Sequence, residues 1–264
     1  MQPPQTRPVN ILKHPLSTLL APLLLTSSLV AAQEVTPDTK PDMDGDIGIG
    51  VNHNAQIGHS NSSAANAIPY ANFDYGNVFA RVDTFGYRLN PVAYGNVEMV
   101  ARYIGEGYTP LTPTGDLSAR HTSVPVGLGT LQITPLGAVI LNTYHDMNKS
   151  GGNLADMIFA EQWESAHVAL YPQAGAEYRS RNYVRYFYGV SPEEASQFKL
   201  RGYAPDEATN LFAALFTEWK VSGNWYVNSN LRRTWLDTSV SDSPLVQRRV
   251  ANSGFLALSY RFAL

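Results

Sequence analysis

The sequence contains no cysteine, which excludes disulfide staples, thiolate nucleophiles and Cys-ligated metal, though not an oxidising compartment. Beyond its N-terminal segment it has no apolar run near the ~20 residues that a membrane-spanning helix needs. Excess positive charge is also missing. Lys and Arg number 19 against 22 Asp and Glu, a formal net charge of −3, so no basic footprint for nucleic acid is present. A phosphate-binding loop is absent too, because Gly45-Asp46-Ile47-Gly48-Ile49-Gly50 lacks the lysine and the following helix. What the chain does have is 15 Tyr, 10 Phe, 4 Trp and 20 Gly in 264 residues. That mixture suits strands, tight turns and interfacial aromatic belts.

The N-terminus carries a targeting pattern. Arg7 and Lys13 precede the leucine-rich stretch from Leu16 to Val30, and Val30-Ala31-Ala32 supplies small residues before Gln33. The expectation is a secretory signal peptide over 1–32, cut after Ala32. Removing it leaves 17 cationic against 22 acidic side chains. Residues 33–45 are polar and hold Pro37 and Pro41, the composition of a flexible periplasmic leader.

From residue 46 to 264 the pattern changes to segments of about ten residues with alternating character, the spacing of barrel strands. Leu256, Leu258, Tyr260, Phe262 and Leu264 fall on one face, with Ala257, Ser259, Arg261 and Ala263 on the other. Val97, Met99, Ala101 and Tyr103 oppose Glu98 and Arg102, and Leu211, Ala213, Leu215, Trp219 and Val221 oppose Glu218 and Lys220. Val168, Leu170, Ala174, Ala176 and Tyr178 oppose His167, Gln173 and Glu177, while Trp225, Val227 and Leu231 oppose Asn228, Asn230 and Arg232. Aliphatics on one wall and charges on the other invert the plan of a water-soluble barrel.

Trp219 and Trp225 flank the tight Ser222-Gly223-Asn224 turn, which sets both indoles at one level, as in an interfacial belt. Counting segments gives eleven. Separating the tyrosine-rich 183–190 as a strand gives an antiparallel transmembrane β-barrel of about twelve, with ten or fourteen left open, since bacterial barrels favour even numbers. Short turns are expected on the periplasmic side. The longer connections around 191–208 and 238–249 are expected outside.

One helical signal interrupts the strands. Ser191-Pro192-Glu193-Glu194 provides a capping hydroxyl, a proline at the first helical position and a glutamate at the capping-box position, which predicts a helix over 191–199.

Candidate chemistry is sparse. His53, His59, His121, His145 and His167 lack the i, i+4 spacing or cysteine partners of a zinc site, so no metal and no cofactor are expected. Ser165 and His167 lie two apart on one strand face, a possible nucleophile and base, with Glu161 and Glu164 near in sequence. Glu164 points the opposite way, and a Ser-x-His pair also arises by chance. The expectation is a non-enzymatic chain. Glu98, Arg102, Glu177, Arg179, Glu218, Lys220 and Arg232 are the expected lumen charges, and their mixed signs point to a plug rather than an open selective pore.

The stretch Tyr188-Gly189-Val190-Ser191-Pro192-Glu193-Glu194-Ala195 resembles the MipA/OmpV family. So do Ile68-Pro69-Tyr70, Phe79 and Gly86-Tyr87-Arg88-Leu89, then Asp242-Ser243-Pro244-Leu245-Val246, and the closing Ser259-Tyr260-Arg261-Phe262. The segment Ser196 to Asp206 departs from the family pattern, and Ala263-Leu264 extend past the terminal aromatic. The resemblance implies a monomeric outer-membrane barrel without catalytic residues. It further implies a scaffold linking a membrane-bound lytic transglycosylase to a penicillin-binding murein synthase. A small-solute channel affecting antibiotic entry, or a surface adhesin, is the alternative.

Overall fold

The computed structural model describes residues 43–53, 65–112 and 114–264. The expected signal peptide, most of the expected leader and His59 lie outside them. The described chain is one closed antiparallel barrel of twelve wall strands. These are β1 (Met43–His53), β2 (Ala65–Tyr75), β3 (Val78–Arg81), β4 (Thr84–Val92) and β5 (Gly95–Arg102). After a small loop hairpin, β6 (Leu111–Thr112) with β7 (Gly115–Asp116), come β8 (Val126–Thr134), β9 (Gly137–His145) and β10 (Asn153–Ala160). The two-residue β11 (Trp163–Glu164) continues the pairing of β10 along β12 (Val168–Arg179). The wall then runs through β13 (Ala208–Ser222), β14 (Trp225–Trp235) and β15 (Val250–Ala263).

Each wall strand pairs with its neighbours in order, and β15 pairs with β1 to close the cylinder. Met43 and Leu264 exchange backbone hydrogen bonds of 3.2 and 2.8 Å, so Ala263-Leu264 simply extend the seam. No helix among the described residues is long and apolar enough to cross a membrane. Crossing falls to the strands, whose closure leaves no unpaired sheet edge in lipid.

The alternation read from sequence is the alternation observed. Ile49 and Leu231 are 66% and 67% exposed on the outer wall, whereas Asp156 and Glu177 on the inner wall are 4% and 8% exposed. Trp163, Trp219, Trp225 and Tyr260 are exposed near the end where Met43 meets the terminal Leu264, and Trp225 packs edge-on against Tyr260 at 5.3 Å. Tyr103, Tyr178 and Trp235 are exposed toward the other end. Two aromatic levels bracket an aliphatic belt, the arrangement of a barrel seated across a bilayer. We call the two ends the terminal end and the loop end.

Twelve strands is the expected number, but their allocation differs from expectation in one place. Residues 183–190 are not a strand. They lie in helix α1 (Arg181–Tyr188) and the turn after it. The twelfth strand comes instead from 77–89, which divides into β3 and β4 at Val82-Asp83. That turn carries no glycine or asparagine, and Val82 adopts φ +57°, a conformation costly for a β-branched residue. Surrounding contacts hold it there. Val82 N–H donates to the Ala71 carbonyl at 2.9 Å, Tyr103 N–H to the Asp83 carbonyl at 2.8 Å, and Arg102 Nε to the Asp83 carboxylate at 2.9 Å.

Helix α2 (Pro192–Phe198) matches the expected capped helix. Ser191 Oγ accepts from Glu194 N–H, the Glu194 carboxylate accepts from Ser191 N–H, and Lys199 ends the helix in a left-handed conformation. A third short helix, α3 (Thr238–Ser241), is capped by the Asp237 carboxylate accepting from Ser239 N–H.

Candidate functional site

The loop end is where side chains from distant parts of the chain converge. α1 leaves β12 and presents Tyr183, Val184, Phe187 and Tyr188 on one side, the i, i+1, i+4, i+5 stripe of a helix with one buried face. All four are buried, in a cluster with Val100, Ile104, Tyr144, Leu154 and Val240. Arg181 and Arg185 take the outer face, Arg181 pairing with Asp206 at 3.0 Å and Arg185 Nε donating to the Pro205 carbonyl at 2.9 Å. The helix is therefore a stopper seated in the barrel mouth.

Beneath the stopper lies a cross-braced ion cluster from four strands. Arg102 of β5 reaches Asp156 of β10 at 2.7 Å and Glu177 of β12 at 3.6 Å. Arg179 spans the same two carboxylates at 3.1 and 3.3 Å, and Arg232 of β14 reaches Glu177 at 2.7 Å while stacking over Phe212 of β13 at 3.6 Å. Alternating signs on facing walls satisfy each buried charge, and losing any one leaves its partners uncompensated.

The stopper is tied to this cluster. Tyr183 Oη donates to the Glu106 carboxylate at 3.1 Å, and Arg179 lies 5.6 Å from the Tyr183 ring centre. Burial pushes the Glu106 carboxyl above its usual range, against the opposing pull of Arg179. Tyr108 Oη donates to the Phe187 carbonyl at 2.6 Å, and burial raises the Tyr108 phenol as well.

The motif residues divide between the two ends. At the loop end, Ser243 Oγ donates to the Tyr188 carbonyl at 2.6 Å and accepts from Leu245 N–H at 3.2 Å, so the turn holding Pro244 fastens onto the end of α1. Gly189 lets the chain turn directly after the helix, because a Cβ there would lie 2.4 Å from the Arg185 carbonyl oxygen. Val190 bridges to Tyr203 and packs with Leu117 and Leu245. Arg120 ties Glu194 to the connection between β7 and β8 at 2.9 Å. Glu193 stays on the solvent side, its carboxyl held below the usual range by its own backbone N–H and by Ser191. Tyr260 and Phe262 lie far away, on β15 near the terminal end.

The early-hairpin residues divide by parity: Tyr70, Phe79 and Arg88 face inward, whereas Pro69, Tyr87 and Leu89 are exposed. Tyr70 and Phe79 are buried, Arg81 lies 3.9 Å above the Phe79 ring, and a Cβ at Gly86 would sit 2.3 Å from that ring. Arg81 pairs with Glu98 at 2.7 Å, and Arg88 pairs with Asp74. Near the terminal end a second ion group joins Arg261 to Asp46 at 2.6 Å and to Glu218 at 3.2 Å. Of the expected lumen charges, Glu98, Arg102, Glu177, Arg179, Glu218 and Arg232 are joined in these networks. Lys220 is exposed instead, next to the register shift in β13.

Ser165 and His167 lie in the turn between β11 and β12, and both are exposed. The Ser165 hydroxyl donates to the Val168 carbonyl at 3.0 Å. His53, His121, His145 and His167 sit at separate places, and no group of three candidate metal ligands occurs among the described residues.

Sequence reasoning missed Asp46, Asp83, Asp156 and Glu106 as network members. Asp46, Asp83 and Asp156 lie on or beside the wall strands, where inward parity was a usable signal. Glu106 is in a loop without periodicity.

A sequence model of the family described as MltA-interacting protein MipA matches residues 47–262. The MltA-interacting protein of Escherichia coli (strain K12) is 26% identical over 201 residues, covering 74% of this chain and 81% of that protein. YiaT of the same organism is 20% identical over 222 residues, 82% of this chain and 90% of its own length. The outer membrane protein Omp26La of Vibrio anguillarum is 29% identical over 135 residues, half of this chain and 51% of its own length.

Proposed function

The chain belongs to the MltA-interacting protein MipA family, and on that premise we propose that this outer-membrane barrel is a non-catalytic envelope scaffold for murein-remodelling enzymes. Its partners on this reading are a lytic transglycosylase and a penicillin-binding murein synthase. The chain acts as a monomer, exported by a signal peptide over 1–32 that is cleaved after Ala32. The terminal end, with its short turns, faces the periplasm together with the leader, which shortens to 33–42 because Met43 to Gly45 belong to β1. The loop end faces outward.

The observation that carries this reading is the filled lumen. The cluster of Arg102, Asp156, Glu177, Arg179 and Arg232 braces the wall from inside, and α1 stops the mouth. A barrel whose interior is spent on its own stability has its outer surfaces and turns left for partners. The Ser165 hydroxyl proton is committed to a backbone carbonyl rather than to His167, which supports a role without nucleophilic catalysis.

Crosslinking in intact cells, followed by identification of what co-purifies, tests the proposal. Recovery of a lytic transglycosylase and a murein synthase supports it. Their absence, joined to steady conductance of the purified protein in planar bilayers, overturns it in favour of a channel.

A further inference from the structure

On the outer wall near the loop end, a groove of about 420 Å³ runs down across β8, β9, β10 and β12. An adjoining groove of about 380 Å³ shares Leu128, Thr143, Ala155 and Tyr178 with it and continues toward Leu141, Met157 and Ala176. The cause is a row of short side chains. Thr143 and Ala155 are paired neighbours on β9 and β10, and they lie between the taller Leu128 on β8 and Tyr178 on β12. All face outward, on the wall whose aliphatic belt contacts lipid. The lower part is apolar and continuous with that belt.

The upper edge is different in kind. One step above Thr143 and Ala155, His145 and Asn153 face each other across the strands, with His145 Nδ1 2.7 Å from Asn153 Oδ1. Directly above them, the turn from β9 to β10 is folded around Asp146, whose carboxylate accepts from the backbone N–H groups of Asn148, Lys149 and Ser150. That turn leaves Lys149 exposed at the rim. An alkyl-sized channel below and imidazole, amide and ammonium above match the two parts of one molecule.

We infer that this groove is a binding site for a phosphate-bearing membrane lipid. One acyl chain lies along Thr143 and Ala155, and its head group rests against His145, Asn153 and Lys149. The occupant follows from position. A groove opening onto the hydrocarbon layer is reached by acyl chains, and hydrocarbon filling it restores contacts that an empty groove forfeits. Lys149, exposed in the turn above, then favours an anionic head group through a charge-assisted hydrogen bond. The site is independent of the scaffold reading and requires only that the barrel sits in a bilayer.

The test uses the full mature chain in phosphatidylcholine vesicles doped with phosphatidylglycerol that carries a photoactivatable acyl chain. After illumination, label is expected to concentrate on peptides containing Thr143, Ala155 and Tyr178. Ala155→Phe fills the floor and is expected to lower that labelling on the order of tenfold, equivalent to losing about 1.4 kcal/mol of site affinity. Ile49→Phe on β1, on the opposite side of the belt, should leave it unchanged. His145→Gln with Lys149→Ala should abolish the preference for phosphatidylglycerol over a zwitterionic photoprobe while retaining some label. Heat-dependent gel mobility confirms folding, and Thr143→Leu substitutes if Ala155→Phe does not fold. Label spread evenly around the belt, or unaltered by filling the groove, overturns the site.

Discussion

The two ends of this barrel spend ionic interactions differently. At the loop end, three arginines, Arg102, Arg179 and Arg232, share Asp156 and Glu177, and every member is less than a fifth exposed. At the terminal end a single cation, Arg261, serves Asp46 and Glu218 with its own side chain 38% exposed, and it also lies 3.9 Å over the Tyr226 ring. The carboxylates are comparably buried at both ends, Asp46 being 2% and Glu218 14% exposed, so the difference in solvent access lies in the cation. In the first case water cannot replace a lost partner, and in the second it can in part. Specificity of tertiary structure is therefore concentrated at the loop end, whereas the terminal end relies on backbone ladders and short turns that tolerate exchange.

The largest way to sharpen this contrast is Glu177→Ala, which leaves Arg102 and Arg179 on Asp156 and removes the carboxylate that pairs with Arg232. It should cost about 3–5 kcal/mol, read as a lowered urea midpoint for the protein in detergent micelles. Arg261→Ala provides the counterpart. It should cost roughly 1.5–3 kcal/mol, the worth of hydrogen bonds to a charged group, because solvent reaches the vacated space. Equal losses for the two variants would erase the distinction between the ends. Ser191→Ala removes the hydroxyl half of the α2 capping box and should cost about 1 kcal/mol. Because α2 is an exposed loop helix, that loss should appear as faster local proteolysis near Pro192 rather than as a shift of the global midpoint.

Val82→Asn relieves the left-handed strain at the β3–β4 turn and should raise stability by up to about 1 kcal/mol. A loss there would show that Val82 makes packing contacts worth more than its backbone strain. The smallest effect is a pH dependence. Burial raises the Glu106 carboxyl in the folded state, so the folded form binds its proton more tightly than the unfolded one. The resulting stabilisation is fully present below the ordinary glutamate range and is lost as pH rises through the raised folded value. The α1 stopper should therefore melt earlier at neutral than at mildly acidic pH, followed by near-ultraviolet dichroism of its aromatic cluster. Glu106→Gln should flatten that slope.

What could be read from the sequence follows the range of the interactions involved. Alternation in β13, β14 and β15 was legible because inward Asn228, Arg232 and Arg261 and outward Leu231 and Leu258 obey a two-residue period over ten or more positions. The α2 cap was legible because its donors and acceptors are three residues apart. The β3–β4 turn was hidden, since Val82 reads as a strand residue and only contacts from Ala71, Arg102 and Tyr103 bend the chain there. α1 was hidden for a related reason. Eight aromatic-rich residues are too few to separate a period of 3.6 from one of 2, and what decides is the apolar mouth into which Tyr183 and Phe187 fit. Within the site, Ser243 and Pro244 were singled out, but their attachment to Tyr188 spans 55 residues and no local pattern announces it.

The seam between β1 and β15 has a bearing on how the molecule comes into being. Ten consecutive residue pairs, from Asp44 opposite Ala263 to His53 opposite Gly254, join the start of the wall to its finish. An intermediate lacking only its final strand would therefore carry two raw borders at once, one on β1 and one on β14, each costly in hydrocarbon. Insertion is consequently expected to wait for arrival of the C-terminal segment, with the zippering of this last pair as the committing step of biogenesis.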